Sequence, residues 1–167
     1  MAESPTHTDW QRWVEDHASR FLLYARQQAR SEADAQDLVQ EAVVEASRRQ
    51  NNGAPPPPAL VFATIHRRAI ALARSDDRRA ARERVASEPV PEAWFDPSLE
   101  DRELGQWVQG ALHRLPDIYR EVVTLKVWGG LTFAEIAEAL EIPANTAASR
   151  YRYGLEELRK RTKEVLT

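Results

Sequence analysis

Apolar residues recur along the chain at the three- to four-residue spacing of amphipathic helices, and no stretch alternates polar and apolar residues as a half-buried strand would. The clearest stripe lies between residues 104 and 115. It consists of Leu104, Trp107, Val108, Ala111, Leu112 and Leu115. The pattern therefore predicts an all-α protein.

The N-terminal half of the chain is predicted to form three helices, over residues 9–29, 31–49 and 59–85. Ser31 is a typical N-cap residue, with Asp34 three positions later, and Gly53 with the prolines after it ends the second helix. The apolar positions of the three helices are Trp10, Trp13, Ala18, Phe21, Leu22 and Ala25, then Leu38, Val39, Ala42, Val43 and Ala46, then Val61, Phe62, Ile65, Ala69 and Leu72.

The stretch "SEPVPEAWFDPSLE" interrupts the helical pattern. It contains three prolines, four acidic residues and no basic residue, a composition that favours an extended linker. We therefore predict two small helical domains, residues 1–86 and 102–167, joined by a flexible linker over residues 87–101.

The C-terminal domain is predicted to hold four helices. Pro116 opens the second, the Gly129–Gly130 pair ends it, Thr132 caps the third with Glu135 as its capping-box partner, and Pro143 opens the last. The inward-facing residues are expected to be Ile118, Val122, Val123 and Leu125, then Phe133, Ile136, Ala137 and Leu140, then Tyr151, Leu155 and Leu158.

The last two helices have the layout of a DNA-binding helix-turn-helix. The second of them leaves small, polar and basic residues exposed in its N-terminal half, which suits insertion into the major groove. These residues are Asn145, Thr146, Ala148, Ser149 and Arg152. Arg150 suits a phosphate at the groove margin. The alternative is a helical hairpin that only packs.

The overall charge does not match that of a typical DNA-binding protein, because 23 Lys and Arg face 26 Asp and Glu. Basic residues are nevertheless concentrated in two segments. Residues 51–86 hold seven basic against three acidic residues, and residues 142–167 hold six against three. The first segment includes Arg67, Arg68 and Arg74. Taken alone, it could equally be a solvated surface helix.

Several classes of function find little in the sequence. There is no cysteine, the four histidines are scattered, and neither a catalytic triad pattern nor a glycine-rich phosphate loop occurs. We therefore predict no catalytic residue, no metal, no cofactor and no enzyme activity. No apolar run approaches the length of about 18 residues that a membrane span requires, so a cytoplasmic protein without membrane insertion is expected.

An acidic face is predicted on the second helix. Asp34, Asp37 and Glu41 recur at spacings of three and four residues, with Gln40 beside them. One helix alone makes a poor metal cage. A docking surface for a basic partner and a solvated face remain open from the residues alone.

Two blocks together resemble one known family. "ADAQDLVQEAVVEA" with "ATIHRRAIALARSDDRRA" forms the first block. The second is "LPDIYREVVTLKVWGGLTFAEIAEALEIPANTAASRYRYGLEELRK". The chain resembles sigma factors of the sigma-70 superfamily, of the small extracytoplasmic-function (ECF) type. The resemblance implies a two-domain RNA polymerase sigma factor that directs promoter-specific transcription initiation.

The resemblance also implies partners and contact residues. Core RNA polymerase would be bound through its clamp helices and its flap, and promoter DNA through two elements. The resemblance assigns Asp37, Gln40 and Glu41 to the contact with the clamp helices. It assigns Arg67, Arg68 and Arg74 to the minus-ten element. Ser149, Arg150 and Arg152 are assigned to the minus-thirty-five element, with Asn145 and Thr146 beside them. Ala71 and Ala148 depart from the family pattern. An anti-sigma factor is a further candidate partner.

Two alternatives to a sigma factor stay open. A stand-alone helix-turn-helix regulator would share the final helices without needing the acidic face or the linker. A sigma-like protein could instead bind polymerase or an anti-sigma factor without initiating transcription. Transcription with core polymerase separates the three hypotheses.

Overall fold

The computed structural model describes the backbone of residues 7–50, 52–83, 93–95 and 102–166, with side chains except those of 76–83, 102 and 164–166. Within these ranges the secondary structure is helical, as the periodicity predicts. The helices are α1 (His7–Gln28), α2 (Glu32–Gln50), α3 (Pro58–Glu83), α4 (Arg102–Arg114), α5 (Asp117–Val127), α6 (Phe133–Leu140) and α7 (Ala144–Leu166).

Contacts divide the chain into two compact units, Met1–Glu92 and Ala93–Thr167. In the first unit α1, α2 and α3 each pack on the other two. Aromatic rings centre this core, since Phe62 of α3 meets Phe21 at 5.0 Å and Tyr24 at 5.9 Å between ring centroids. Leu38 of α2 and Ile65 of α3 are buried with them.

The turn between α1 and α2 confirms the predicted cap. The backbone N–H of Asp34 donates to Ser31 Oγ at 3.1 Å, as expected of an N-cap serine. Arg26 at the end of α1 also donates two hydrogen bonds of 2.8 Å to the carboxylate of Glu32. This pair joins the two helices at the point where the chain reverses, and it lowers the pKa of the Glu32 carboxyl.

The connection between α2 and α3 is fixed to α1. Gly53 has a positive φ of 72°, which suits a glycine where the chain leaves a helix. Its carbonyl accepts a hydrogen bond of 2.9 Å from Trp10 Nε1. Pro58 occupies the first position of α3, where its missing N–H costs no hydrogen bond. The third helix therefore begins one residue before the predicted start.

The end of α3 differs from the prediction. Leu72 was expected in the core, but 46% of it is exposed, and Ile70 is 41% exposed. All residues from 70 to 75 are exposed, so the described part of the first unit leaves this stretch of α3 largely uncovered. The periodicity marks a helical face correctly, but α1 and α2 do not extend far enough to cover it.

The second unit packs α7 against α4, α5 and α6. Its core comprises buried residues from four helices and two connecting segments, namely Ala111, Leu112, Leu115, Val122, Val123, Leu125, Leu131, Ile136, Ala139, Leu140 and Ala147. Gly154 brings α7 close to α5, where a Cβ atom on it would lie 2.7 Å from Val123 Cγ2.

Three residues predicted to face this core are exposed. Leu104 is 59%, Trp107 41% and Ile118 45% exposed. The stripe on α4 becomes buried only from Ala111 onward, because the first turns of α4 extend past the surface that covers its C-terminal half. The periodicity of α4 is thus correct, whereas the predicted burial of its N-terminal half is wrong.

Part of the predicted linker packs on the second unit. Trp94 is only 5% exposed, and its backbone N–H donates to Gln109 Oε1 of α4 at 2.9 Å. Its ring lies 5.7 Å from that of His113 and beneath the guanidinium of Arg120. The expectation of an extended stretch that buries little is therefore wrong for Trp94. Residues 87–92 and 96–101 lie outside the described residues.

Candidate nucleic-acid interface

The turn between α6 and α7 is built from local capping chemistry. Thr132 Oγ1 accepts from the Glu135 N–H at 3.1 Å, and Glu135 Oε1 accepts from the Thr132 N–H at 3.0 Å, which forms the predicted capping box. Glu141 then adopts a left-handed conformation with φ 57°, and the Ile142 N–H donates to the Ala137 carbonyl. These bonds fix the angle at which α7 leaves α6.

Aromatic contacts hold the two helices of this motif together. The ring of Phe133 at the start of α6 lies 5.5 Å from that of Tyr151 on α7, edge to face. On its other side Lys126 Nζ stands 4.5 Å from the same ring and donates to the Leu131 carbonyl at 3.2 Å. The start of α7 is therefore held rigidly, as a helix that enters a DNA groove requires.

The N-terminal half of α7 presents the predicted residues to solvent. Asn145 and Arg152 are exposed, whereas Thr146, Ser149 and Arg150 are partly exposed. Helical spacing places Asn145, Ser149 and Arg152 along one line, opposite the buried Ala147 and Gly154. Arg150 lies on the flank of this line. Around the helix the five side chains run from Arg152 through Asn145, Ser149 and Thr146 to Arg150, so the two arginines lie at opposite edges of this surface.

Tyr153 belongs to the same surface and was missed by the sequence analysis. It is 47% exposed, it lies one helical turn after Ser149, and the guanidinium of Arg152 stands 5.3 Å from its ring centroid. On its far side the ring of Tyr119 lies at 6.3 Å. The i, i+4 spacing from Ser149 could have identified it, since an exposed aromatic beside an arginine is a common nucleic-acid contact.

The first unit carries the other predicted site residues. Asp37, Gln40 and Glu41 are all exposed on α2. Gln40 also borders an apolar groove of about 380 Å³ between α1 and α2. The groove is lined by Trp13, Val14, Ala18, Phe21, Val39, Gln40, Val43 and Val44. The acidic face is therefore part of a mixed polar and apolar surface.

The three arginines of α3 differ in their surroundings. Arg67 and Arg74 are exposed, and Arg67 donates to Thr64 Oγ1 at 3.4 Å. Arg68 instead pairs with two carboxylates of α2, Glu41 at 2.9 Å and Glu45 at 3.4 Å. The structure therefore leaves two of the arginines oriented to solvent and engages the third within the first unit.

Two other kinds of site are absent from the part of the chain that the structure describes. No group of three or more His, Cys, Asp or Glu residues there is arranged to hold a metal ion. None of the helices in the same part combines the length and the apolar content that crossing a membrane demands.

Comparison with known proteins points to one family. A family model described as sigma-70, region 4, matches residues 105–158, which include α5, α6 and the candidate DNA-binding half of α7. The chain is also 31% identical over 159 residues to the ECF RNA polymerase sigma factor SigE of Mycolicibacterium smegmatis, covering 90% of this chain and 60% of that protein. Residues 105–158 therefore match sigma-70 region 4, and the chain as a whole is similar to ECF sigma factors.

A further relative is also an ECF sigma factor, and one solved structure shares the fold. SigK of Mycolicibacterium vanbaalenii, an ECF RNA polymerase sigma factor, is 35% identical over 99 residues, which cover 57% of this chain and 50% of SigK. The chain thus spans between one half and three fifths of the length of these two curated relatives. The sigma factor RpoE of Bartonella quintana, solved in complex with the anti-sigma factor NepR, shares the fold with a TM-score of 0.68. The two sequences are 18% identical, and the match covers 93% of this chain and 98% of the RpoE chain.

Proposed function

We propose that this protein is an RNA polymerase sigma factor that directs promoter-specific transcription initiation. One observation carries the proposal: the rigidly capped helix-turn-helix presents Asn145, Ser149 and Arg152 along one exposed line, inside the segment matched by sigma-70 region 4. The protein would supply binding contacts, and the chemistry of RNA synthesis would belong to the polymerase, so no catalytic group is needed in this chain.

The second unit would bind the minus-thirty-five element through α7. Asn145, Ser149 and Arg152 offer hydrogen bonds to base edges, while small neighbours such as Ala148 let the helix approach the floor of the groove. Thr146 lies in the first turn of α7, where backbone N–H groups and the helix dipole favour a phosphate. Arg150 on the flank would contact the DNA backbone, which fixes position without reading sequence.

The first unit would bind core polymerase and the minus-ten element. Asp37, Gln40 and Glu41 would face the clamp helices, because an exposed acidic face complements a basic partner surface. The end of α3, where residues 70–75 are all exposed, would face the minus-ten region with Arg74, and Arg67 lies two turns before Arg74. The flap would be contacted by the second unit.

An anti-sigma factor is a second proposed partner. The apolar groove between α1 and α2, with Val14 and Val44 each nearly half exposed at its sides, suits the apolar face of a partner helix. The fold neighbour RpoE of Bartonella quintana was solved in complex with the anti-sigma factor NepR. These two points support, for this chain, a partner that competes with polymerase for the first unit.

Transcription in a reconstituted system tests the proposal. The chain is mixed with core polymerase and a promoter library, and transcripts and their start sites are measured. Run-off transcripts that depend on the chain are expected. Specific DNA binding without core would instead favour a stand-alone regulator, and core binding without transcripts would favour a sigma-like protein that does not initiate.

A matched variant tests the polymerase surface. Gln40→Ala combined with Glu41→Lys should weaken core binding while leaving the helical content unchanged. Glu15→Lys, an exposed change on α1, serves as the control and should bind core as the unmodified chain does. Equal core binding by the double variant and the control would overturn the assignment of this surface.

A further inference from the structure

One ion-pair cluster joins the two surfaces proposed for the first unit. The guanidinium of Arg68 on α3 pairs through Nη1 with Glu41 at 2.9 Å and through Nε with Glu45 at 3.4 Å, both on α2. The Arg68 side chain is 37% exposed, so it lies at the surface yet is engaged from two sides. Arg49 adds a weaker contact of 4.0 Å to Glu45.

The cluster surrounds a shallow depression of about 490 Å³ lined by Gln40, Glu41, Val44, Glu45, Arg48 and Arg68. Gln40 and Glu41 are the residues proposed to face polymerase. Arg68 is one of the three arginines that the family resemblance assigns to the minus-ten element. In the chain without a partner, Arg68 of the minus-ten surface is therefore paired with Glu41 of the polymerase surface. Arg67 and Arg74 are exposed and are not part of this cluster.

We propose that Arg68 couples polymerase binding to DNA binding: Glu41 and Glu45 hold it while the chain is alone, and polymerase releases it to a DNA phosphate by engaging Glu41. The proposal rests on the proposed sigma-factor function. It gives a local reason for a protein with a DNA-binding helix to bind DNA weakly without its partner.

The coupling is reciprocal by thermodynamic necessity. If polymerase weakens the Glu41–Arg68 pair and thereby strengthens the contact of Arg68 with DNA, DNA must strengthen polymerase binding by the same factor. Exposed ion pairs contribute little individually, so two such contacts on one guanidinium should change DNA affinity by about three- to tenfold. A change in DNA affinity of this size can be measured, and the two contacts that cause it are weak enough for polymerase binding to break them.

A double-mutant cycle without polymerase tests the first half of the proposal. The probe is a fluorescently labelled pool of random-sequence single-stranded DNA, and affinity is measured by anisotropy. Glu41→Gln with Glu45→Gln should bind about three- to tenfold more tightly than the unmodified chain. Adding Arg68→Ala should remove that gain. Circular dichroism on each variant checks that the helical content is unchanged.

Charge alone is controlled with Glu15→Gln plus Asp16→Asn, which removes two exposed carboxylates of α1 outside the cluster. The affinity of this control for the DNA probe should exceed that of the unmodified chain by clearly less than threefold. The proposal would be overturned if Glu41→Gln with Glu45→Gln raised the DNA affinity no more than the control does. It would also be overturned if the higher affinity persisted after Arg68→Ala was added. A failure of every variant to bind would overturn it as well, since a released Arg68 should give measurable affinity.

The second half is tested with core polymerase at saturating concentration. Because Arg68 is then already released, the holoenzymes with and without the Glu41→Gln and Glu45→Gln changes should bind the same probe within about a factor of 1.5. If the variant holoenzyme still bound the probe about three- to tenfold more tightly than the unmodified holoenzyme, the coupling would be overturned. Absence of transcripts in the reconstituted assay would refute the sigma-factor function separately, because the cycle without polymerase does not depend on it.

Discussion

Gly154 of α7 lies directly against Val123 of α5, and the approach leaves no room for a larger side chain. A Cβ atom on Gly154 would stand 2.7 Å from Val123 Cγ2 and 3.4 Å from Tyr119 Cβ. Val123 is 1% exposed, so it cannot turn away into solvent. This contact sets the distance between α7 and α5.

Gly154→Ala is therefore expected to destabilise the second unit. Overpacking a core typically costs about 1–3 kcal/mol, and the better helix propensity of alanine returns at most about 1 kcal/mol. We expect a net loss of about 1 kcal/mol in the free energy of unfolding, measured by urea titration followed by circular dichroism.

Gly110→Ala on α4 is the matched control for this substitution. No atom lies within 4 Å of a Cβ atom placed there, so the change should stabilise the unit through helix propensity alone. Equal stability of the two variants would show that α5 and α7 can separate without cost, which contradicts the packing argument.

Trp94 should contribute to stability even though sequence analysis placed it in a linker. It is 5% exposed and is packed among Gln109, His113 and Arg120. Trp94→Ala should lower the free energy of unfolding by about 2–4 kcal/mol, toward the low end for a residue at the edge of a core. Phe95→Ala, at a partly exposed residue that contacts Trp128, should cost clearly less. A Trp94→Ala variant as stable as Phe95→Ala would refute this role.

Local features of the fold were predictable because their causes are local. The Ser31 cap, the capping box of Thr132 and Glu135, and the positive φ of Gly53 follow from side chains within a few residues of each other. The hydrophobic period likewise identified each helix. Such features need no knowledge of what lies across the molecule.

The errors arose where burial depends on a neighbour. Periodicity assigns Leu72 and Leu104 to apolar faces, but it does not say how far the adjacent helix extends. Trp94 has no periodic context, so only the fold shows where it packs. The pair between Arg68 and Glu41 joins residues 27 positions apart, and the family resemblance gives each of them a separate role.

The ion pair at the turn between α1 and α2 predicts a pH dependence of stability. Hydrogen bonds from Arg26 hold the pKa of the Glu32 carboxyl below its ordinary value of 4.5. The stabilisation is therefore fully present above the unfolded-state pKa and is lost as pH falls through the lower folded-state pKa. Because Glu32 is 39% exposed, we expect Glu32→Gln to cost about 0.5–1 kcal/mol at pH 7.

The measurement is urea unfolding of the unmodified chain and of Glu32→Gln between pH 7 and pH 3. The difference in free energy of unfolding should be constant down to about pH 5 and then shrink as the Glu32 carboxylate becomes protonated. Glu15→Gln, on an exposed residue of α1, should show no comparable difference. A Glu32→Gln difference that stays constant to pH 3 would exclude the pair as its cause.

The two arginines of α7 should affect promoter use in different ways. Arg152 lies on the exposed line of the helix and stacks on Tyr153, so Arg152→Ala should cost about 1–3 kcal/mol on a matched upstream element and relax the preference at one position. Arg150 lies on the flank, so Arg150→Ala should weaken all upstream sequences about equally and reduce the salt dependence of binding. Transcription from a panel of upstream-element variants at two salt concentrations distinguishes these outcomes.

Tyr153→Phe keeps the ring under Arg152 and should preserve the preference for the upstream element, whereas Tyr153→Leu should weaken that preference. Both arginine variants should bind core polymerase normally, since the clamp-binding surface is assigned to α2 and neither arginine is assigned to the flap. If neither substitution changes promoter use while core binding is intact, α7 does not read the upstream element, and the proposed mechanism is wrong at that contact.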